Sequence, residues 1–237
     1  MKQIIKSLAL AVLVAFVVTF FASIYMLSIV SIFKVDLNNV LVSVISMILS
    51  NITTIALYCM IKRKNFTVLI KEIKLHKSNN LKYIITSILL VLVIFIFNIL
   101  LAAILNPSSK HTTTQELMGY SGVFAVLVNF IYPMILAPLT EELIFRGLLG
   151  NVFQVFNTDT NKKRKIYFVV VSSLIFSLMH LQETGDLATS FLAAFIPCIS
   201  GIIFGLEYLK TKNLIYPIIT HVSYNSLIIL LPVLLHK

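Results

Sequence analysis

Residues 84–106 read IITSILLVLVIFIFNILLAAILN, a run without a single ionisable side chain. As an α-helix rising 1.5 Å per residue it is about 34 Å long, enough to cross roughly 30 Å of hydrocarbon. The runs at 8–33 and 39–61 repeat the pattern, and further apolar segments follow at 123–156, 165–180, 188–209 and 214–235. Strands of a membrane barrel would alternate polar and apolar residues over about ten positions; these runs are continuous. The sequence therefore predicts an all-α fold: a polytopic membrane helix bundle of about seven transmembrane helices. With 59% hydrophobic and 12% charged residues, the whole chain lies outside the range of soluble domains.

The net charge of +10 raises nucleic acid as a partner, but the placement of that charge excludes it. Of the 19 Lys and Arg, 15 fall on alternate connections: Lys2 and Lys6, seven between Lys62 and Lys82, four between Lys162 and Lys165, and Lys210 with Lys212. This is the positive-inside bias, and it predicts a cytoplasmic N-terminus with anionic membrane lipids as the partners of the basic loops. Cys59 and Cys198 both lie in apolar runs, so no disulfide framework is indicated. The run 8–33 is too long for the apolar core of a signal peptide and reads as a retained first helix.

The connection 62–82 alternates basic with apolar residues, which suits either an interfacial amphipathic helix or a solvated basic loop. Residues 107–121, rich in Ser, Thr and Gly, mark a boundary between an N-terminal unit, 1–120, and a C-terminal one, 121–237. His111 there reads as a surface residue. Asn51, Thr53, Thr54 and Asn98 read as hydrogen-bonding groups between helices, and Gly201-x-x-x-Gly205 as a site of close helix packing. Pro133 and Pro138 are expected to kink the long segment 123–156, freeing carbonyls that need other partners.

Against this background the stretch Pro138-Leu-Thr-Glu141-Glu142-Leu-Ile-Phe-Arg146-Gly147 stands out. An ionisable group at the centre of a membrane helix costs roughly 2.5 to 3.5 kcal/mol, so three in six positions need partners or a purpose. Glu142 and Arg146 are i and i+4 and can neutralise each other. Glu141 points about 100° away round the helix and is left over. Two further polar pairs at the same spacing are Phe176 with His180 and His221 with Asn225. Counted from the basic flanks, Glu141, His180 and His221 lie at depths that agree within about one helical turn. An acid, two imidazoles and an amide from three helices can thus meet in the cytoplasmic half of the membrane. A desolvated carboxylate can serve as general base for water, with His holding that water and N–H donors steadying an oxyanion. The same Glu141, His180 and His221 could instead give a zinc ion three ligands and an open fourth position. Phe176 reads as a packing neighbour of His180.

The three pairs in this order resemble the CPBP family of intramembrane proteases, also called the Abi or C-a-a-X prenyl endopeptidase family. Its hallmarks are Glu-Glu-x-x-x-Arg, Phe-x-x-x-His and His-x-x-x-Asn on successive helices, here Glu141-Glu142 to Arg146, Phe176 to His180 and His221 to Asn225. The resemblance covers roughly residues 121–230. It implies peptide-bond hydrolysis within the membrane, with Glu141 and His180 activating water and His221 with Asn225 holding the oxyanion. Glu142, Arg146 and Phe176 would support the site structurally. It also implies either no cofactor or one divalent metal such as zinc on Glu141, His180 and His221; Asn225, a poor zinc ligand and a good donor, favours the metal-free form. The expected partner is a membrane-associated peptide or protein substrate, in peptide maturation or bacteriocin self-immunity. The expected location is a bacterial cytoplasmic membrane. Two other classes fit less well. A non-catalytic immunity or scaffold protein has no use for an unpaired acid in lipid. A small proton-coupled transporter would show polar groups in both halves of the chain.

Overall fold

The computed structural model describes residues 24–25, 27–32, 34, 40–61, 80–105, 126–157, 161–181 and 186–235, and every regular element among them is helical. The protein is a helical membrane bundle, as its hydropathy requires. It forms two compact units, residues 1–71 and 72–237. The first contains a helical stretch within 24–32 and helix α1, Val40–Ile61. Within it Tyr25 and Thr53 share a hydrogen bond of 2.6 Å between hydroxyls, as expected of a group joining helices. Thr54 differs: its hydroxyl donates to the Ser50 carbonyl of its own helix, because a threonine one turn on reaches that oxygen without any neighbour. The basic connection beyond residue 61, the expected boundary at 107–121 and most of the run 8–33 lie outside the described residues.

The second unit carries α2 (Asn80–Leu105), a composite helix α3, α4 (Lys162–Met179), α5 (Leu187–Thr211) and α6 (Ile215–Leu235). α2 and α5 are long and apolar enough to cross a membrane. On α2, Ser87, Val91 and Ile94 are buried at helical spacing, while Ile88, Leu92, Val93, Ile96 and Leu100 face outward. The inner stripe packs α2 on α5 and α6, where Val91 and Ile94 join Ile196, Phe204 and Tyr224 in one buried cluster. Asn98, on the same stripe, donates to the Tyr224 hydroxyl at 3.1 Å. Polar groups inside and aliphatic groups outside is the arrangement a hydrocarbon solvent selects.

The composite helix α3 departs from the expected kink. It winds as a π-helix over Leu127–Leu136, as an α-helix over Ala137–Glu142, again as a π-helix over Leu143–Leu148, and ends in an α-turn, Leu149–Val152. Pro133 sits inside the first wide segment. A proline ring collides with the carbonyl four residues back; the extra residue per turn moves that carbonyl away. The backbone therefore relieves the clash by widening, and the Ala137 N–H bonds to the Tyr132 carbonyl five residues back.

α4 and α5 begin on side-chain caps: Asn161 accepts from the Arg164 N–H at 2.9 Å, and Asp186 from the Thr189 N–H at 2.9 Å. The turn into α6 places Lys212 at φ 55°, and Asn213 accepts from the Ile215 N–H at 3.0 Å. α4 packs along α5 at the two glycines singled out by sequence. A Cβ on Gly201 would lie 3.0 Å from the Ser173 Cα, whereas one on Gly205 would lie 3.4 Å from a Val169 methyl. Both cysteines are free thiols.

The two glycines should respond differently to a methyl group. In Gly201→Ala the obstruction is main chain and cannot rotate aside, so overpacking of about 1–3 kcal/mol outweighs the helix-propensity gain of about 1 kcal/mol. Gly205→Ala meets only ordinary van der Waals contact and should be neutral or slightly stabilising. Thermal unfolding in detergent checks the contrast, with a clearly lowered midpoint expected for Gly201→Ala alone.

Candidate active site

The local sequence of α3 brings both acids to the unit's interior while giving them different surroundings. Glu142 and Arg146 are fully buried, and the Arg146 Nη1 donates to Glu142 Oε1 at 3.0 Å. This is the i, i+4 pair expected from spacing, and it survives the π-helical winding of Leu143–Leu148. Arg146 Nη2 donates to the Gly201 carbonyl on α5 at 2.8 Å. Its guanidinium carbon lies 5.9 Å from the ring centre of Phe145, and 5.4 Å from each of Phe176 and Phe204. One cation thus ties α3, α4 and α5 together through an acid, a carbonyl and three aromatic faces.

His221 enters from α6 and is 4% exposed. Its Nδ1 lies 3.0 Å from Glu142 Oε1, and since a carboxylate accepts, Nδ1–H is the donor. The ring stacks on Phe204 at 4.7 Å and meets the edge of Phe176 at 5.7 Å. Its other nitrogen, Nε2, lies 3.6 Å from Glu141 Oε2. His221 therefore bridges the two neighbouring acids, one with each nitrogen. The Glu141 side chain is 26% exposed, beside a clamp that is closed to solvent.

His180 caps the end of α4 at φ −100°, ψ 1°. Its Nδ1–H donates to the Phe176 carbonyl one turn back at 2.8 Å, which fixes the tautomer and leaves the Nε2 lone pair directed away from its own helix. Phe176 packs under the imidazole at 4.5 Å and under Arg146 as well. Phe176 is thus the common floor of His180, His221 and Arg146, a larger part than a packing neighbour of His180 alone. Among the described residues no hydrogen bond or ion pair joins His180 to either acid; Glu141 stands next to His221.

Asn225, one turn beyond His221, donates through Nδ2 to the Pro133 carbonyl at 2.9 Å. The reason lies in the π-winding. In that register the Pro133 carbonyl would accept from residue 138, which is also proline and has no N–H. Asn225 supplies the missing donor. An amide nitrogen carries two hydrogens, so the second is available to another acceptor.

Among the described residues no three His, Cys, Asp or Glu gather as a metal-binding group, and Glu141, His180 and His221, named for a divalent metal, form none. Glu142 is also committed, to Arg146 and His221. As arranged among the described residues, this donor set does not fit a metal.

Motif spacing does not single out Glu207 on α5, a buried acid that is 5% exposed. The usable signal was the stripe Ser200, Phe204, Glu207 at i, i+4 and i+7, which puts Glu207 on the helix face that meets His221.

Residues 123–227 match the family described as Type II CAAX prenyl endopeptidase Rce1-like. Among characterised proteins, the chain is 29% identical over 181 residues to the membrane-embedded CAAX protease MroQ of Staphylococcus aureus (strain USA300), an alignment covering 73% of this chain and 67% of that protein. No solved structure matches. With the three motifs, these matches make the chain similar to CAAX-type membrane proteases and support a membrane peptidase.

Two substitutions probe this arrangement. Arg146→Met should cost about 3–5 kcal/mol, because Glu142 is then a buried charge without its partner; adding Glu142→Gln should recover part of the loss in detergent unfolding. Asn225→Leu should cost about 1–3 kcal/mol for the orphaned Pro133 carbonyl. That cost should shrink in a Pro138→Ala background, where residue 138 regains an N–H; an undiminished cost would place the Asn225 contribution elsewhere.

Proposed function

We propose that this membrane peptidase hydrolyses a peptide bond of a membrane-associated peptide or protein with Glu141 as general base. The observation that carries the proposal is a partly open acid held beside a closed Glu142–Arg146–His221 clamp, in which Glu142 Oε1 serves both partners. A structural role is already filled by Glu142, and Glu141 is the acid that solvent can reach.

In the proposed reaction a water enters between Glu141 and the Nε2 of His180, and Glu141 takes one of its protons as the oxygen attacks the carbonyl carbon. The tetrahedral oxyanion is met by the free amide hydrogen of Asn225 and by His221 carrying a proton on Nε2, whose Nδ1–H is already held by Glu142. When the C–N bond breaks, the proton held by Glu141 passes to the leaving amine, so that the acid returns to its starting state. His180, neutral and fixed in one tautomer, orients the water by accepting its second hydrogen. The clamp behind His221 does no chemistry; it holds the imidazole plane.

A bacterial cytoplasmic membrane with the basic loops on the inner face suits both the charge distribution and the bacterial relative. Peptide maturation and bacteriocin self-immunity are two settings that would use such an activity.

Glu141→Ala and His180→Ala should each lower cleavage by roughly 10²- to 10⁴-fold, while the proteins insert and accumulate normally. Comparing membrane peptides from cells with the intact protein and with Glu141→Ala should reveal an uncut precursor, and its identity separates the two settings. Unchanged peptide profiles and unchanged cleavage by both variants would sink the hydrolytic reading.

A further inference from the structure

Glu207 is a buried acid for which the proposed reaction has no use. Its Oε1 accepts from the Ser87 hydroxyl of α2 at 2.6 Å, and its Oε2 from the Thr220 hydroxyl of α6 at 2.7 Å. Each hydroxyl also lies near a carbonyl of its own helix, Tyr83 at 3.0 Å and Tyr216 at 3.1 Å, but the carboxyl is the closer partner in both cases. One carboxyl group thus spans three helices, and both of its oxygens are engaged.

Thr220 immediately precedes His221, and Phe204 lies one turn before Glu207. The stack of Phe204 on His221 fixes the plane of the imidazole. The bond from Thr220 to Glu207 fixes where along α5 that plane sits. Two successive turns of α5 therefore grip two successive residues of α6. A slide of α6 by one residue, about 1.5 Å, would break the shorter grip and carry His221 Nε2 away from Glu141.

We propose that Glu207 is a positioning residue for His221, setting the register of α6 against α2 and α5 through a hydroxyl–carboxyl–hydroxyl bridge. The inference rests on the reading of His221 as part of the proteolytic site. The bridge needs hydrogen bonds and no charge. A glutamine offers its carbonyl oxygen to Ser87 and its NH2 to Thr220, whose own hydrogen then goes to the Tyr216 carbonyl, so every group stays paired.

The test uses the full-length protein in detergent or liposomes. Glu207→Gln should keep both turnover and the histidine spectrum. Glu207→Leu and Thr220→Val should each lower kcat on the order of 10- to 100-fold, with KM within about twofold, as a misplaced catalytic group does. The double variant should be no worse than the poorer single one, because both remove the same bond. Turnover is read on the precursor that accumulates in Glu141→Ala membranes, per mole of folded protein. In 15N-histidine-labelled protein the His221 ring resonances should move in Glu207→Leu and stay in Glu207→Gln. Should Glu207→Leu fail to accumulate, Thr220→Val, which keeps shape and volume, carries the test. Normal kcat and an unmoved His221 spectrum in Thr220→Val, or losses that multiply in the double variant, would overturn the inference. An inactive Glu141→Ala beside a normal Thr220→Val condemns this inference alone, whereas a fully active Glu141→Ala condemns the hydrolytic reading itself.

Discussion

The guanidinium of Arg146 is the point from which the second unit is built. A cation buried in a hydrocarbon-facing bundle persists only if opposite charge, hydrogen-bond acceptors and polarisable surface surround it. Here they come from three helices: Glu142 on its own, the Gly201 carbonyl on α5, and the rings of Phe145, Phe176 and Phe204. Satisfying Arg146 therefore fixes the distance between α3, α4 and α5. It also fixes Glu142, which fixes His221. The placement of His221 is thus inherited from Arg146 through Glu142.

Two acids adjacent in sequence are separated by this arrangement into different tasks. Glu142 is closed off and paired through Oε1 to both Arg146 and His221, while Glu141 is partly exposed beside His221. The difference follows from the angle between successive residues on a helix, which lets the cation pair with one acid and leaves the other turned away from it and partly exposed. His221 joins them, with one nitrogen committed to the structural acid and one to the open acid, so rigidity passes from the clamp to the reactive edge through a single ring.

Much of this was legible in the sequence because the physics involved is local. Continuous apolar runs give helices wherever the solvent is lipid, and their ends came within a few residues of α1, α2 and α4 to α6. The pairing of Glu142 with Arg146 needs only the pitch of a helix. Close packing at Gly201 and Gly205 needs only the absence of side chains. What escaped depended on two prolines acting together and on partners distant in sequence. Neither Pro133 nor Pro138 alone announces a π-helix, yet the pair leaves one carbonyl that Asn225, 92 residues further on, comes to satisfy. Glu207 escaped because its partners Ser87 and Thr220 are short hydroxyls, distant in sequence, that carry no distinctive pattern.

Gly201 has a consequence for how this protein can drift. A new side chain at 201 would meet the Ser173 Cα at 3.0 Å as well as its Cβ at 3.1 Å and Oγ at 3.2 Å, so shrinking residue 173 relieves only part of the crowding. The main-chain contact remains, and easing it requires α5 to retreat together with the carbonyl that anchors the guanidinium. Position 201 thus answers to two demands at once, room for Ser173 and the seat of its own carbonyl, that the lipid-facing sides of α4 and α5 do not share.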